Sequence, residues 1–149
     1  MKFIVDFFTN PCILARLTAW ILSQILKTVT HLCTQKTFDW RRLLGDGGMP
    51  SSHTATVTAQ MTACGLTCGL NSPEFAVSFI LAVVVCRDAV GIRRETEKQA
   101  RVLNAILETM KEFPKQPLNV FVGHTPFQVG AGILIGVVNA LVMHDFVFG

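Results

Sequence analysis

The sequence predicts an all-α protein: a membrane-embedded helical bundle of about four transmembrane helices plus an amphipathic helix, built as a single domain over residues 1–149. Three observations predict it. Half of the 149 residues are hydrophobic and only 15% are charged, whereas soluble domains carry about 25% charged residues. Four apolar segments each reach the roughly 17–20 residues that cross a bilayer core. A soluble four-helix bundle, the main alternative, needs broad polar faces, and the second and fourth segments show little of one.

The first segment is Cys12 to Val29, interrupted by Arg16 and Lys27. With Asp6 and Arg16 near its start and no clear small-residue cleavage site after it, it reads as part of the fold rather than a removable signal. The second, Thr54 to Leu70, is rich in Thr, Ala and Gly. The third, Phe75 to Ile92, takes on charge at Arg87 and Asp88. The fourth, Pro126 to Met143, repeats Gly130, Gly132 and Gly136 at close helical spacing. Small and weakly polar residues on membrane helices mark helix–helix contacts. They also offer a face for a second copy, so a homodimer is an expected partner. Five cysteines, an odd number lying in or beside apolar stretches, argue against a disulfide framework. Cys64 and Cys68 share a helical face, but no His or acidic residue lies near them in sequence, so no metal is expected.

Between the third and fourth segments, Arg93 to Phe113 carries Ala100, Leu103, Ile106 and Leu107 at helical spacing among charged residues. That pattern predicts an amphipathic helix on the membrane surface or against the bundle, ended by Pro114 and Pro117.

The loops set the topology. Asn71 to Glu74, "NSPE", makes a tight hairpin, so the loop before the second segment and the loop after the third lie on one side. These two loops and their edges hold Lys27, Lys36, Arg41, Arg42, Arg87, Arg93, Arg94, Lys98, Arg101, Lys111 and Lys115, eleven of the 13 Lys and Arg residues. The positive-inside rule puts that face in the cytoplasm. A net charge of only +3 gives no indication of nucleic-acid binding.

Two stretches on that face carry chemistry. "GGMPSSHTA", Gly47 to Ala55, brings turn formers, two hydroxyls and His53 to the start of a helix near Thr54. Helix N-termini bind phosphate through free N–H groups and the macrodipole. "GHTPFQVGAG", Gly123 to Gly132, repeats the design, with Thr125 as N-cap and Pro126 as the first helical residue. A third stretch, "RDAVGIRRETEKQA", puts Asp88 at the end of an apolar run, where a charge is costly unless paired or wet. Arg93 can reach a phosphate through its planar donor fork, and Asp88 can orient a cation or a histidine.

These three stretches, in this order, resemble the divergent branch of the type 2 phosphatidic acid phosphatase and vanadium haloperoxidase superfamily, over roughly residues 36 to 137. The resemblance implies an all-α fold and hydrolysis of a phosphate ester without a cofactor or metal, with His124 as nucleophile and His53 as general acid. It implies a phosphate cradle of Lys36, Ser51, Ser52 and Arg93, with Arg42 and Arg94 as further candidates. The match is uneven. Ser52 stands where the superfamily has glycine. Gln128 replaces the carboxylate that orients the nucleophile, a place Asp88 could take. Lys36 with Arg41 and Arg42 lacks the expected spacing and proline, and Leu118 and Asn119 occupy the place of the Ser-Arg pair. Two functions follow as expectations: a membrane phosphatase acting on a lipid phosphate or pyrophosphate, or a catalytically silent protein that binds anionic lipid headgroups. A vanadate-dependent haloperoxidase is disfavoured, because no feature suits peroxide or halide.

Overall fold

The computed structural model describes residues 2–36, 48–110, 117–118, 120 and 123–148. They form α1 (Lys2–Phe8), α2 (Pro11–Gln35), α3 (Ser52–Cys68), α4 (Pro73–Val90), α5 (Ile92–Thr109) and α6 (Pro126–Met143), followed by a π-helical turn, His144–Phe148. No strand occurs among the described residues.

Each helix starts where its sequence supplies a cap. Asn10 accepts from the Cys12 and Ile13 amides with Pro11 at the first helical position. Ser51 caps α3, and Ser72 caps α4 ahead of Pro73. Thr125 and Gln128 form a capping box on α6, again with Pro behind the cap. The caps occupy donors that would otherwise be orphaned. The hairpin predicted around Asn71 is present, with α3 ending at Cys68 and the Ser72 hydroxyl donating to the Gly69 carbonyl. The amphipathic helix is α5, set off from α4 at Gly91 and ending one residue before Met110.

The four apolar segments are α2, α3, α4 and α6. Among the described residues, three helical stretches are long and apolar enough to cross a membrane: Pro11–Thr34, Pro73–Thr109 and Pro126–Phe146. The other segment, α3, has 17 residues, about 25 Å of helix. It is the central helix, packed on α2, α4 and α6. A helix flanked on three sides needs small contacts more than oily ones, so its Thr and Ala content fits its place.

The bundle is turned inside out relative to a soluble protein. Its buried residues are small or polar: Ala15, Ala19, Ser23, Ala59, Ala63, Ala82, Ala89 and Ala140. Its large side chains point outward, among them Trp20, Ile21 and Ile25 on α2, Phe79, Ile80 and Val84 on α4, and Leu134 and Val138 on α6. In water such a surface would be a large exposed apolar patch. In lipid it is the expected exterior, with close small-residue packing inside. The protein is an integral membrane helical bundle.

The closest packing is between α3 and α6, which run parallel. A Cβ on Gly132 would stand 2.6 Å from the Ser51 carbonyl oxygen. One on Gly136 would collide with the Thr58 hydroxyl and the Ala55 carbonyl. Only glycine allows this approach. Two of the three α6 glycines thus serve contacts within one chain; a Cβ on Gly130 would meet nothing within 4 Å. Asn139 fastens α6 to α2 through the Ala15 carbonyl and the Thr18 hydroxyl, both at 2.9 Å. At the far end of the bundle Cys64 lies 3.3 Å from Cys12 and from Ser78, sulfur to sulfur and sulfur to hydroxyl.

Candidate functional site

Antiparallel pairing of α2 with α3 and of α3 with α4, and parallel pairing of α3 with α6, bring four ends together. These are the C-terminal part of α2, the start of α3, the end of α4 and the start of α6. The two motif stretches meet there directly. The Ser51 amide donates to the Gln128 carbonyl at 3.2 Å, and the His124 amide donates to the Ala89 carbonyl at 3.1 Å. The shared face predicted from the hairpin is therefore one physical site.

His124 is its centre. The residue is 4% exposed, and its Nδ1 has no hydrogen-bond partner among the described residues. Burial pushes its pKa below the ordinary 6.5; Lys27, His53 and Arg93 push the same way, and the Gln128 side chain partly opposes them. The imidazole is held neutral at pH 7. The loop before it is pinned to α5. Glu97 accepts from the Gly123 amide at 3.2 Å, and a Cβ on Gly123 would stand 2.7 Å from the Arg94 Cα. Asn104 exchanges two hydrogen bonds with the Leu118 backbone, at 2.8 and 3.0 Å.

His53 lies in the first turn of α3 and is exposed. Ser51 is fully buried, and its hydroxyl is engaged as the helix cap with Thr54. Ser52 instead meets Lys27, whose Nζ donates to the Ser52 hydroxyl at 3.3 Å. Asp88 is paired with Arg93 at 2.8 Å. Arg93 is the cation that the carboxylate orients. The pair is about one-third exposed on each side, so its role is better read as geometric than as a large contribution to stability. Gln128 uses its Oε1 to accept from the Thr125 amide at 2.9 Å. It is a cap first, with its side chain beside the ring.

Two expected cradle residues are not drawn in, and a third lies outside the described residues. Lys36 is an exposed C-cap of α2 in a left-handed conformation, roughly 13 Å along the helix axis from Lys27. Arg94 offers its backbone to Gly123 while its side chain is exposed. Arg42 lies outside the described residues.

Sequence reasoning missed Lys27 as a member of the site. It is 2% exposed and lies about two turns inside the C-terminal end of α2, whereas its place in sequence marks it only as a loop-edge charge. A lysine inside a membrane span is itself a signal of function. Glu97 and Asn104 were also missed, and for them no signal existed, because they look like any polar residue on an amphipathic helix.

Fold and site define a class: an integral membrane helical protein with a histidine-centred, cation-rich cluster where helix N-termini meet at one end of the bundle. The chain belongs to the Divergent PAP2 family, whose pattern matches residues 8–139. It is 36% identical over 156 residues to an uncharacterized membrane protein of Bacillus subtilis (strain 168), YuiD, the alignment covering 95% of this chain and 99% of that one. No solved structure matches the chain significantly.

Proposed function

We propose that the protein is a membrane phosphatase that hydrolyses a lipid phosphate or pyrophosphate through a phosphohistidine, without a metal, with its site facing the cytoplasm. One observation carries the reading. A buried imidazole kept neutral sits between two helix N-termini, with Lys27, His53 and Arg93 all bearing on it. Such a cluster suits a bound oxyanion, and a neutral imidazole is the form that can attack phosphorus.

In this reading a ring nitrogen of His124 attacks phosphorus. The bond from phosphorus to the leaving oxygen breaks, and its electron pair goes to that oxygen, which takes a proton from protonated His53. Lys27, Ser52 and Arg93, the last oriented by Asp88, neutralise charge on the phosphoryl oxygens. Water then attacks the phosphohistidine and gives its proton to His53. The P–N bond breaks and returns neutral His124 with free phosphate. Gln128 holds the helix start beside the ring.

A second reading has specific support. Gln128 is engaged in the capping box, and among the described residues no carboxylate accepts from the His124 Nδ1 to stabilise an imidazolium. That arrangement suits a catalytically silent protein that binds anionic lipid headgroups. A phosphate-release screen over phosphatidate, prenyl diphosphate and soluble monoesters separates the two. The phosphatase reading expects release that disappears in His124→Ala. The silent reading expects lipid binding without release, little changed by that substitution.

A further inference from the structure

We infer that the apolar cleft between α4 and α6 is the seat of a single hydrocarbon chain of the phosphate-bearing lipid, and that Gly130 keeps it open; this rests on the phosphatase reading above. The cleft measures about 570 Å³, within the range of small-molecule pockets. It exists because α4 and α6 both lean on α3 and scarcely touch each other. Val83 and Val90 form one wall, Val129 and Ile133 the other, and Met61 the floor.

Two arguments fix the occupant. The first is continuity with the site. Pro126, at one end of the cleft, is two residues from His124, and Val90 follows Ala89, whose carbonyl holds the His124 amide. From Val90 to Ala82 the cleft then runs about 12 Å along α4, away from the polar end and past wall residues open to lipid, such as Val83 at 47% exposure. The second is charge. Arg87 lines the end nearest the histidine, so a cation stands where chain gives way to anionic headgroup. A molecule that is anionic at one end and apolar for at least 12 Å fits both; a soluble phosphate ester uses only the first.

Gly130 is the specificity-determining position. It lines the cleft, and a Cβ there would meet nothing within 4 Å, in contrast to Gly132 and Gly136. A Cβ at this position stands in open space beside the cleft, so a larger side chain there occupies cleft volume.

The test compares wild type and Gly130→Phe in detergent, on oleoyl lysophosphatidate and on butyl phosphate. The expected result is a fall of at least tenfold in kcat/KM for the long-chain substrate with butyl phosphate unchanged within twofold. Equal effects on both substrates, or none on either, would overturn the inference. If the wild type hydrolyses neither, the phosphatase reading has failed, and the cleft is then tested by labelling with a lysophosphatidate bearing a diazirine on its chain. Labels on α4 and α6 cleft residues that vanish in Gly130→Phe support the seat; labels spread evenly over the exposed α2 face refute it.

Discussion

The starts of α3 and α6 look alike in sequence and differ in structure. Each offers a hydroxyl cap, a nearby proline and a histidine. His53 lies within the first turn of α3 and is exposed, where it can exchange protons with water. His124 precedes its helix, is buried, and is tied through its backbone to α4 and through its loop to α5. In the phosphatase reading, the same residue type in the same kind of motif takes two tasks. An accessible imidazole suits proton delivery, and a desolvated neutral one suits attack. The difference comes from what packs over each helix start.

The strongest way to break the comparison is to vary the leaving group. His124→Ala is expected to reduce turnover by about 10⁴ or more on every substrate, the scale seen when a nucleophile is removed. His53→Ala is expected to cost roughly 10²–10⁴ with an alkyl phosphate, but to recover most of that with p-nitrophenyl phosphate, whose leaving group needs no proton. Parallel losses on both substrates would mean the two histidines do not have distinct tasks.

Next in size is Lys27→Met, which keeps the stem and removes the charge. Loss of one preorganised donor costs roughly 10²–10³ in kcat, whereas Lys36→Met is expected to stay within about twofold. The substitution also moves a pH limb. His124 has a folded pKa below the ordinary 6.5, with Lys27 among the causes. The neutral ring therefore persists below pH 6.5, and activity is lost only as pH falls through the lowered value. Removing Lys27 takes away one downward push, so the acid limb of kcat/KM moves up. Stability has the same sign. Unfolded His124 binds a proton near pH 6.5 and the folded ring does not, so stability is complete above 6.5 and declines as pH drops below it. A pH series of thermal melts on wild type and His124→Asn reads this as a slope that the variant loses.

The smallest expected loss at a positioning residue is that of Glu97→Gln. It weakens a charge-assisted hydrogen bond to the Gly123 amide, worth about 1.5–3 kcal/mol when intact, and retains a neutral acceptor. Turnover should fall three- to tenfold with KM little changed, because His124 is positioned less tightly while the cradle is untouched.

These contrasts track what the sequence could and could not reveal. The helices were legible because apolar length, proline and hydroxyl caps act locally, as Thr125 and Pro126 show at the start of α6. The common face of His53 and His124 was legible because one tight hairpin, followed by an amphipathic helix that does not cross, fixes the direction of the later segments. Lys27 inside an apolar span signals function in sequence, but that it faces Ser52 depends on how α2 is rotated against α3, which no local pattern encodes. Lys36 looked better in sequence, being nearer the loop, but the extra turns of α2 carry it away. The glycines of α6 repeat the lesson: Gly130, Gly132 and Gly136 are alike in sequence, yet the last two admit α3 and the first faces the cleft.

The central claim is that His124 carries the phosphoryl group. The direct measurement is rapid alkaline quenching during turnover of phosphate-labelled phosphatidate, followed by peptide mapping. The account predicts an acid-labile, base-stable phosphoryl label on His124 that builds up within the first turnover and is missing in His124→Ala. Label on His53, or steady turnover with His124→Ala matching wild type, would contradict it.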